Sequence, residues 1–445
     1  MKTPIVDFVR AYAEASPIRL HMPGHKGRPV LGPEALDITE IEGADVLYRA
    51  RGIIRENEEN AAALFGSART LYSTEGSSLC IRAMLQLALL YAKLRRKPLR
   101  IAAGRNAHRV FLEGAALLDW EIRWIGCGQD LLSCTPSLEE MEALFADAET
   151  APAAVYLTSP DYLGNMLDLR PYARLCHSHG ALLLVDNAHG AYLKFLSPLL
   201  HPLDQGADLC CDSAHKTLPV LTGGAYLHLS KTCPAALPPM AEQALALFAS
   251  TSPSWLILQS LDAANARLAE DYPERITRAA RSLHTLKEAL CANGWTLAGS
   301  EPLKLTLRPK SRGYTGEALA AHLRSRGVVP EFADPDHLVL MASAETEAAE
   351  LHALVQALYS LPALPPIRDL PPALPTPKPV LSPREALLSP FETLPAERCL
   401  GRILASPSVG CPPAVPIAVC GERLDEEALA LFRYYGVTEL DVLSY

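Results

Sequence analysis

Four groups of residues in this sequence could do chemistry together. Lys216 lies in the stretch SAHKTLPVLTGGAYLH (213–228), with Ser213 and His215 before it and small, turn-forming residues soon after. A surface lysine needs no such setting, but a lysine that bonds covalently to a carbonyl does. Asp186 ends the apolar run LLLVD, and Lys216 follows the next such run. A carboxylate and a lysine at neighbouring strand ends can be a plain ion pair. Gly76-Ser77-Ser78 reads as a turn opening a helix, where free N–H groups and two hydroxyls suit a phosphate. Serine at such a position is more often only an N-cap. His108, in GRNAHRV, follows an apolar run and offers a flat ring. Together the four fit pyridoxal 5′-phosphate. Lysine would form the Schiff base, and the aspartate would keep the pyridine nitrogen protonated. The helix start would take the phosphate, and the histidine would stack on the ring.

These residues need a scaffold that brings strand ends together. PLRIAAG (98–104), EIRWIG (121–126), AAVYLTSP (153–160), ALLLVD (181–186) and ADLCCD (207–212) are short apolar runs ending in polar or turn residues. Stretches with helical spacing lie between several of them, such as SLEEMEALFADA (137–148). The alternation predicts a mostly parallel sheet covered by helices, with ligands at the carboxyl ends of its strands. In the segment after Gly76, Ile81, Met84, Leu85 and Ala88 follow helical spacing. Residues 269–300 read as helix and then break. LKLTLRP, a helix near 315–326 and HLVLMAS suggest a second, smaller α/β domain. Residues 361–383 hold nine prolines and read as an extended linker. The expected organisation is an N-terminal segment (1–30), a large domain (31–265), a small α/β domain (266–360), the linker (361–383) and a C-terminal domain (384–445).

The 445 residues are 49% hydrophobic and 20% charged, enough for an ample core in a soluble protein. A net charge of −9 and the lack of a basic patch argue against nucleic acid. The eleven cysteines are odd in number and show no CxxC spacing. We expect reduced thiols, no metal site and a cytoplasmic setting. No apolar run approaches the length of a membrane span, and MKTPIVDFVRAYAEAS lacks the apolar core of a signal peptide.

At this point the sequence resembles the bacterial ornithine/lysine/arginine decarboxylases, and within them the short, Gram-positive-type branch. The blocks that carry the resemblance are HMPGHKG (21–27), DITEIEGADVLY (37–48), RNAHR (105–109), TSPDYLG (158–164), VDNAHGAY (185–192), DSAHKTLPVLTGGAYLH (212–228) and PPAVPIAVCGE (412–422). The resemblance implies a fold-type-I, aspartate-aminotransferase-like large domain with a mostly parallel sheet, a small α/β domain and a C-terminal α+β domain. It implies Lys216 as the cofactor lysine, Asp186 as the pyridinium partner and His108 as the stacking ring. Gly76, Ser77, Ser78, Ser213 and His215 would meet the phosphate, and His189 would lie near the ring. Lys216 or His215 would return a proton to Cα. A basic amino acid as substrate, a homodimer or higher homo-oligomer and a place in polyamine biosynthesis follow from the same resemblance.

The chain also departs from the family. Glu75 stands before Gly76-Ser77 where many members carry asparagine, and a carboxylate beside a phosphate must point elsewhere. Pro413-Ala414-Val415-Pro416 replaces Pro-Gly-Ile-Pro, and Cys420 stands where proline is common. Two rivals share the cofactor: an aminotransferase, with Arg308 as the carboxylate clamp, and a catalytically silent paralogue. His21, His25 and Lys26 are candidates for the site entrance. Asp161 and Glu422 are candidates to meet a distal cation, and Tyr162 and Thr158 to flank the cofactor.

Overall fold

The computed structural model describes residues 1–126, 134–375, 377–409 and 415–444. The chain runs α1 (Pro4–Glu14), α2 (Ile53–Phe65), β1 (Arg69–Ser73), α3 (Gly76–Leu94), β2 (Arg100–Gly104), α4 (Arg109–Leu118), β3 (Glu121–Ile125) and α5 (Leu138–Ala146). It continues through β4 (Ala154–Thr158), α6 (Leu169–Ser178), β5 (Leu182–Asp186), β6 (Leu209–Asp212), α7 (Ala214–Thr217) and β7 (Ala225–Leu229). Three helices follow, α8 (Ala241–Ala246), α9 (Trp255–Ala269) and α10 (Tyr272–Ala292). Seven strands form one sheet in the order β1-β7-β6-β5-β4-β2-β3. All five predicted strands of this sheet are present. β1 and β7 were not expected, and β7 runs antiparallel to both of its neighbours.

The chain divides into two compact units. The first comprises Met1–Pro98, Ala153–Val155 and Asp168–Ile276. In it, β5 and β6 pair in parallel, with Asp186 opposite Cys211. Both strands are buried along their whole length, as continuous apolar runs require of central parallel strands. Leu79, Ile81, Met84, Leu85 and Ala88 of α3 are almost wholly inaccessible. That helix is long and apolar enough to cross a bilayer, but two-thirds of its apolar window is buried within the fold. The Asp262 carboxylate on α9 accepts the Ile5 and Val6 amides at 2.7 and 2.8 Å. It thereby satisfies the open first turn of α1, which Thr3 leaves without a side-chain cap.

The second unit comprises Leu99–Pro152, Tyr156–Leu167 and Thr277–Tyr445. Here β2 and β3 pair in parallel. A four-stranded sheet has the order β10-β11-β9-β8, formed by β8 (Leu297–Ala298), β9 (Lys304–Leu307), β10 (Phe332–Ala333) and β11 (Leu338–Met341). With α10, α11 (Gly316–Ser325) and α12 (Ala348–Tyr359), it encloses a core of Leu290, Trp295, Leu307, Leu319 and Leu338. Described residues from 361 to 377 carry no helix or strand. Beyond them lie β12 (Lys378–Pro379), α13 (Pro383–Leu387), β13 (Phe391–Pro395), β14 (Ser408–Val409), β15 (Ala418–Val419), β16 (Glu422–Arg423), α14 (Glu426–Tyr434) and β17 (Glu439–Leu443). Pro383 is the first residue of α13, where its missing N–H costs nothing, and Ser382 and Glu385 close a capping box. Ile417, Leu424, Leu431, Phe432 and Val442 form a separate core. The described cysteines are free thiols, buried except for Cys291.

Candidate active site

β1, β5 and β6 deliver the chemistry of the first unit at their carboxyl ends. After β1 the chain turns through Gly76, whose φ of +71° suits a residue without a side chain. Ser73 Oγ donates to the Gly76 carbonyl at 2.9 Å and accepts the Glu75 amide at 3.0 Å, which holds the turn. α3 then begins at Gly76 with no side-chain cap from Glu75. The Glu75 carboxylate instead accepts the Ser250 amide at 2.9 Å, so it is turned to another group, as its chemistry required. Ser213, after β6, donates from Oγ to Ser77 Oγ at 2.7 Å. Two hydroxyls therefore converge beside an uncapped helix start.

Asp186 ends β5 at 3% exposure, and its Oδ1 accepts the Ala188 amide at 3.1 Å. His189 is buried, and its Nε2 lies 3.1 Å from Lys216 Nζ. Lys216 itself is exposed, on the short α7. The His215 Nδ1 donates to the Gly224 carbonyl at 3.0 Å. Burial lowers the His215 pKa, a change the Gly224 contact opposes and the Lys216 charge reinforces. Its ring is therefore neutral at neutral pH, with the lone pair on Nε2. Among the predicted residues, the structure joins Lys216 to His189 and Ser213 to Ser77. Ser78 follows Ser77 in the first turn of α3.

One residue that our sequence reading passed over underlies this cluster. Asp212, the last residue of β6, is inaccessible to solvent. Its carboxylate accepts Asn187 Nδ2 at 2.6 Å, His201 Nε2 at 3.0 Å and His228 Nε2 at 3.1 Å. His228 Nδ1 meets Thr70 Oγ1 at 2.8 Å, and His201 Nδ1 accepts the Leu203 amide at 3.4 Å. Burial opposes ionisation of Asp212, but the two imidazoles outweigh it and hold the carboxyl well below the usual range. His201, Cys210 and Asp212 are close enough together to hold a metal ion, but hydrogen bonds already account for the Asp212 carboxylate. Asp212, the residue before Ser213, thereby ties down Asn187, the residue after Asp186. Its place in the DSAHK block was the one available sign of this role.

The second unit holds the other predicted residues. His108 is exposed and is the N-cap of α4, its Nδ1 accepting the Val110 amide at 3.2 Å. Glu422 does not stand open for a cation. It is 3% exposed and forms a two-point pair with Arg105, at 2.6 and 2.7 Å. Asp161 is buried as well, and its Oδ1 accepts the Leu163 and Asn165 amides at 3.0 and 2.8 Å. Tyr162 packs edge-on against Phe332. The Thr158 hydroxyl is buried without a hydrogen-bond partner among the described residues. Arg308 is half-buried, with Nε lacking a partner among the described residues. In the first unit, His25 meets Asp37 at 3.2 Å and Lys26 donates to the His21 carbonyl. Of the altered proline motif, Pro413 and Ala414 lie outside the described residues.

The first-unit residues fit the cofactor that the sequence implied. The hydroxyl pair and open amides suit a phosphate, and a lysine amine with a neighbouring imidazole suits an aldehyde. A Cβ built on Gly76 would meet no atom of the other described residues within 4 Å, so the space beside the turn is open on that side.

Comparison with known proteins places these features in context. The sequence model described as "Orn/Lys/Arg decarboxylase, major domain" matches residues 3–306. An arginine decarboxylase of Halalkalibacterium halodurans is 29% identical over 467 residues, covering 97% of this chain and 93% of its own. The constitutive lysine decarboxylase of Escherichia coli superposes with a TM-score of 0.77 at 18% identity, over 100% of this chain and 82% of its own. An alanine–glyoxylate aminotransferase from Nostoc reaches a TM-score of 0.53 at 17% identity, over 69% of this chain and 85% of its own. The fold is therefore fold-type I, with the likeness to the lysine decarboxylase extending through the C-terminal region.

Proposed function

Because the chain belongs to the Orn/Lys/Arg decarboxylase family, we propose that it removes the α-carboxyl group of a basic amino acid as CO2. Arginine is the first candidate substrate, by similarity to the named arginine decarboxylases. The observation that carries the reading is the pairing of Lys216 with His189 and of Ser213 with Ser77 beyond the ends of β1, β5 and β6.

Pyridoxal phosphate, bound through Lys216, would supply the electron sink that accepts the pair left by departing CO2. Ser77, Ser78 and Ser213, with the first amides of α3, would hold its phosphate. Asp186 would keep the pyridine nitrogen protonated, since an opposite charge favours the charged form. By the resemblance of its RNAHR block, His108 would stack on the cofactor ring. His189 orients the Lys216 amine through its lone pair. Lys216 or His215 returns a proton to Cα, and His215 must first take one up on Nε2 because Nδ1 faces Gly224.

The functional unit is a homo-oligomer in this reading. Ile18, Leu20, Val30 and Leu31 are 81–90% exposed, around the HMPGHKG block. An apolar arm of that kind suits the surface of a second copy.

CO2 release from arginine, lysine, ornithine and neutral amino acids, with added pyridoxal phosphate, tests the proposal. Release from a basic amino acid, abolished by Lys216→Ala, supports it. Bound cofactor colour with amino transfer to keto acids and no CO2 would replace it with the aminotransferase reading.

A further inference from the structure

We infer that the C-terminal region positions His108, by holding both ends of the turn and helix that carry it. The inference rests on the proposed role of His108 beside the cofactor. The residues concerned all lie in the second unit.

At the leading end, Arg105 stands three residues before His108. Its Nη1 and Nη2 donate to Glu422 Oε1 and Oε2 at 2.6 and 2.7 Å. Glu422 Oε2 also accepts the Val419 amide at 2.8 Å, so β15 and β16 fix the carboxylate. The Arg105 guanidinium lies over the Trp124 ring, 5.1 Å from its centre. A planar guanidinium gripped at two points and stacked on an indole has little freedom. At the trailing end, the Ala116 and Leu117 carbonyls belong to the last turn of α4, where intrahelical donors run out. Arg384 Nη1 donates to both, at 2.9 and 3.1 Å. Arg384 sits on α13, and α13 packs along α4.

The His108 ring is coupled to this helix directly. Its Nδ1 accepts the Val110 amide at 3.2 Å, and its carbonyl accepts the Phe111 amide at 2.8 Å. Any shift of α4 therefore turns the imidazole. Glu422 and Arg384 are positioning residues. Neither needs to touch substrate.

The test uses the full chain and the variants Glu422→Gln and Arg384→Ala. Hydrogen exchange is followed with and without pyridoxal phosphate. Cofactor release and the kinetics of CO2 evolution are measured alongside. In each variant, amides of residues 105–118 should exchange at least tenfold faster, with β5 and β6 unchanged. Cofactor release should quicken and kcat should fall at least fivefold, while KM changes less than threefold. Arg384 is partly exposed, so its variant keeps the test valid if Glu422→Gln fails to fold. Unchanged exchange at 105–118 in Arg384→Ala would overturn the inference. So would faster exchange across the whole chain, or faster exchange confined to 105–118 with unaltered cofactor release and kcat. If the wild-type chain evolves no CO2, the decarboxylase reading fails, and exchange with cofactor release still decides the positioning role.

Discussion

Glu58 should make this protein less stable as pH rises through neutrality, and Glu58→Gln should remove the effect. The carboxyl group lies on α2 at 3% exposure. Its Oε1 accepts the Tyr72 amide at 3.3 Å, and Arg69 Nη2 is 3.8 Å from Oε2. Burial pushes the carboxyl up from its ordinary 4.5 to about 8, against the pull of the Tyr72 amide and Arg69. Between those values the folded chain keeps a proton that the unfolded chain has released. Stability therefore falls as pH rises across this window. At ~1.36 kcal/mol per unit, the full span sets a ceiling of about 5 kcal/mol. Arg69, already 2.9 Å from Glu242, can swing toward an ionised Glu58 and reduce the loss to about 2–4 kcal/mol. Urea unfolding midpoints at pH 5 and pH 8.5 give the comparison. The wild type should lose about 2–4 kcal/mol more than the variant between the two. Equal losses would refute the assignment of a proton to Glu58.

Asp212→Asn should destabilise the chain by about 2–5 kcal/mol, because an amide in place of the carboxylate sets one donor against another among Asn187, His201 and His228. The Asp212 contribution is present above the ordinary aspartate range of about 3.9 and is lost at lower pH, so the two proteins should converge in acid when melted in parallel. Ser213→Ala removes the donor to Ser77 and should weaken pyridoxal phosphate binding about 10–100-fold, read by fluorescence titration. Lys304 and Glu301 form an ion pair 1% exposed at either side chain, at 3.0 Å. Lys304→Met should cost about 3–5 kcal/mol, and adding Glu301→Gln should recover most of it in thermal melts.

What could be read from the sequence divides along a physical line. Apolar periodicity is local, so the five runs ending in polar residues announced strands and located Asp186 and Asp212 at their ends. The helix after Gly76 was equally legible, because its buried face recurs every three to four residues. β1 was missed because Arg69, Thr70 and Ser73 break its apolar pattern. β7 was hidden by His228, a polar residue in mid-strand that makes sense only once the Asp212 carboxylate lies 3.1 Å from its Nε2. His201 offers no spacing that would join it to the other two.

Charged partners are chosen by approach in space, which no window of sequence records. Glu422 looked like an open carboxylate near the chemistry because it sits in a recurrent block. Its actual partner, Arg105, is 317 residues away. Asp161 looked similar and is consumed by the amides of its own turn. Glu75 is the instructive exception. Its repulsion from a phosphate predicted that it would turn aside, and it faces the Ser250 amide. An electrostatic prohibition can be stated from one residue and one ligand. An electrostatic attachment needs both partners in place, so the clasp between Glu422 and Arg105 could emerge only from the folded chain.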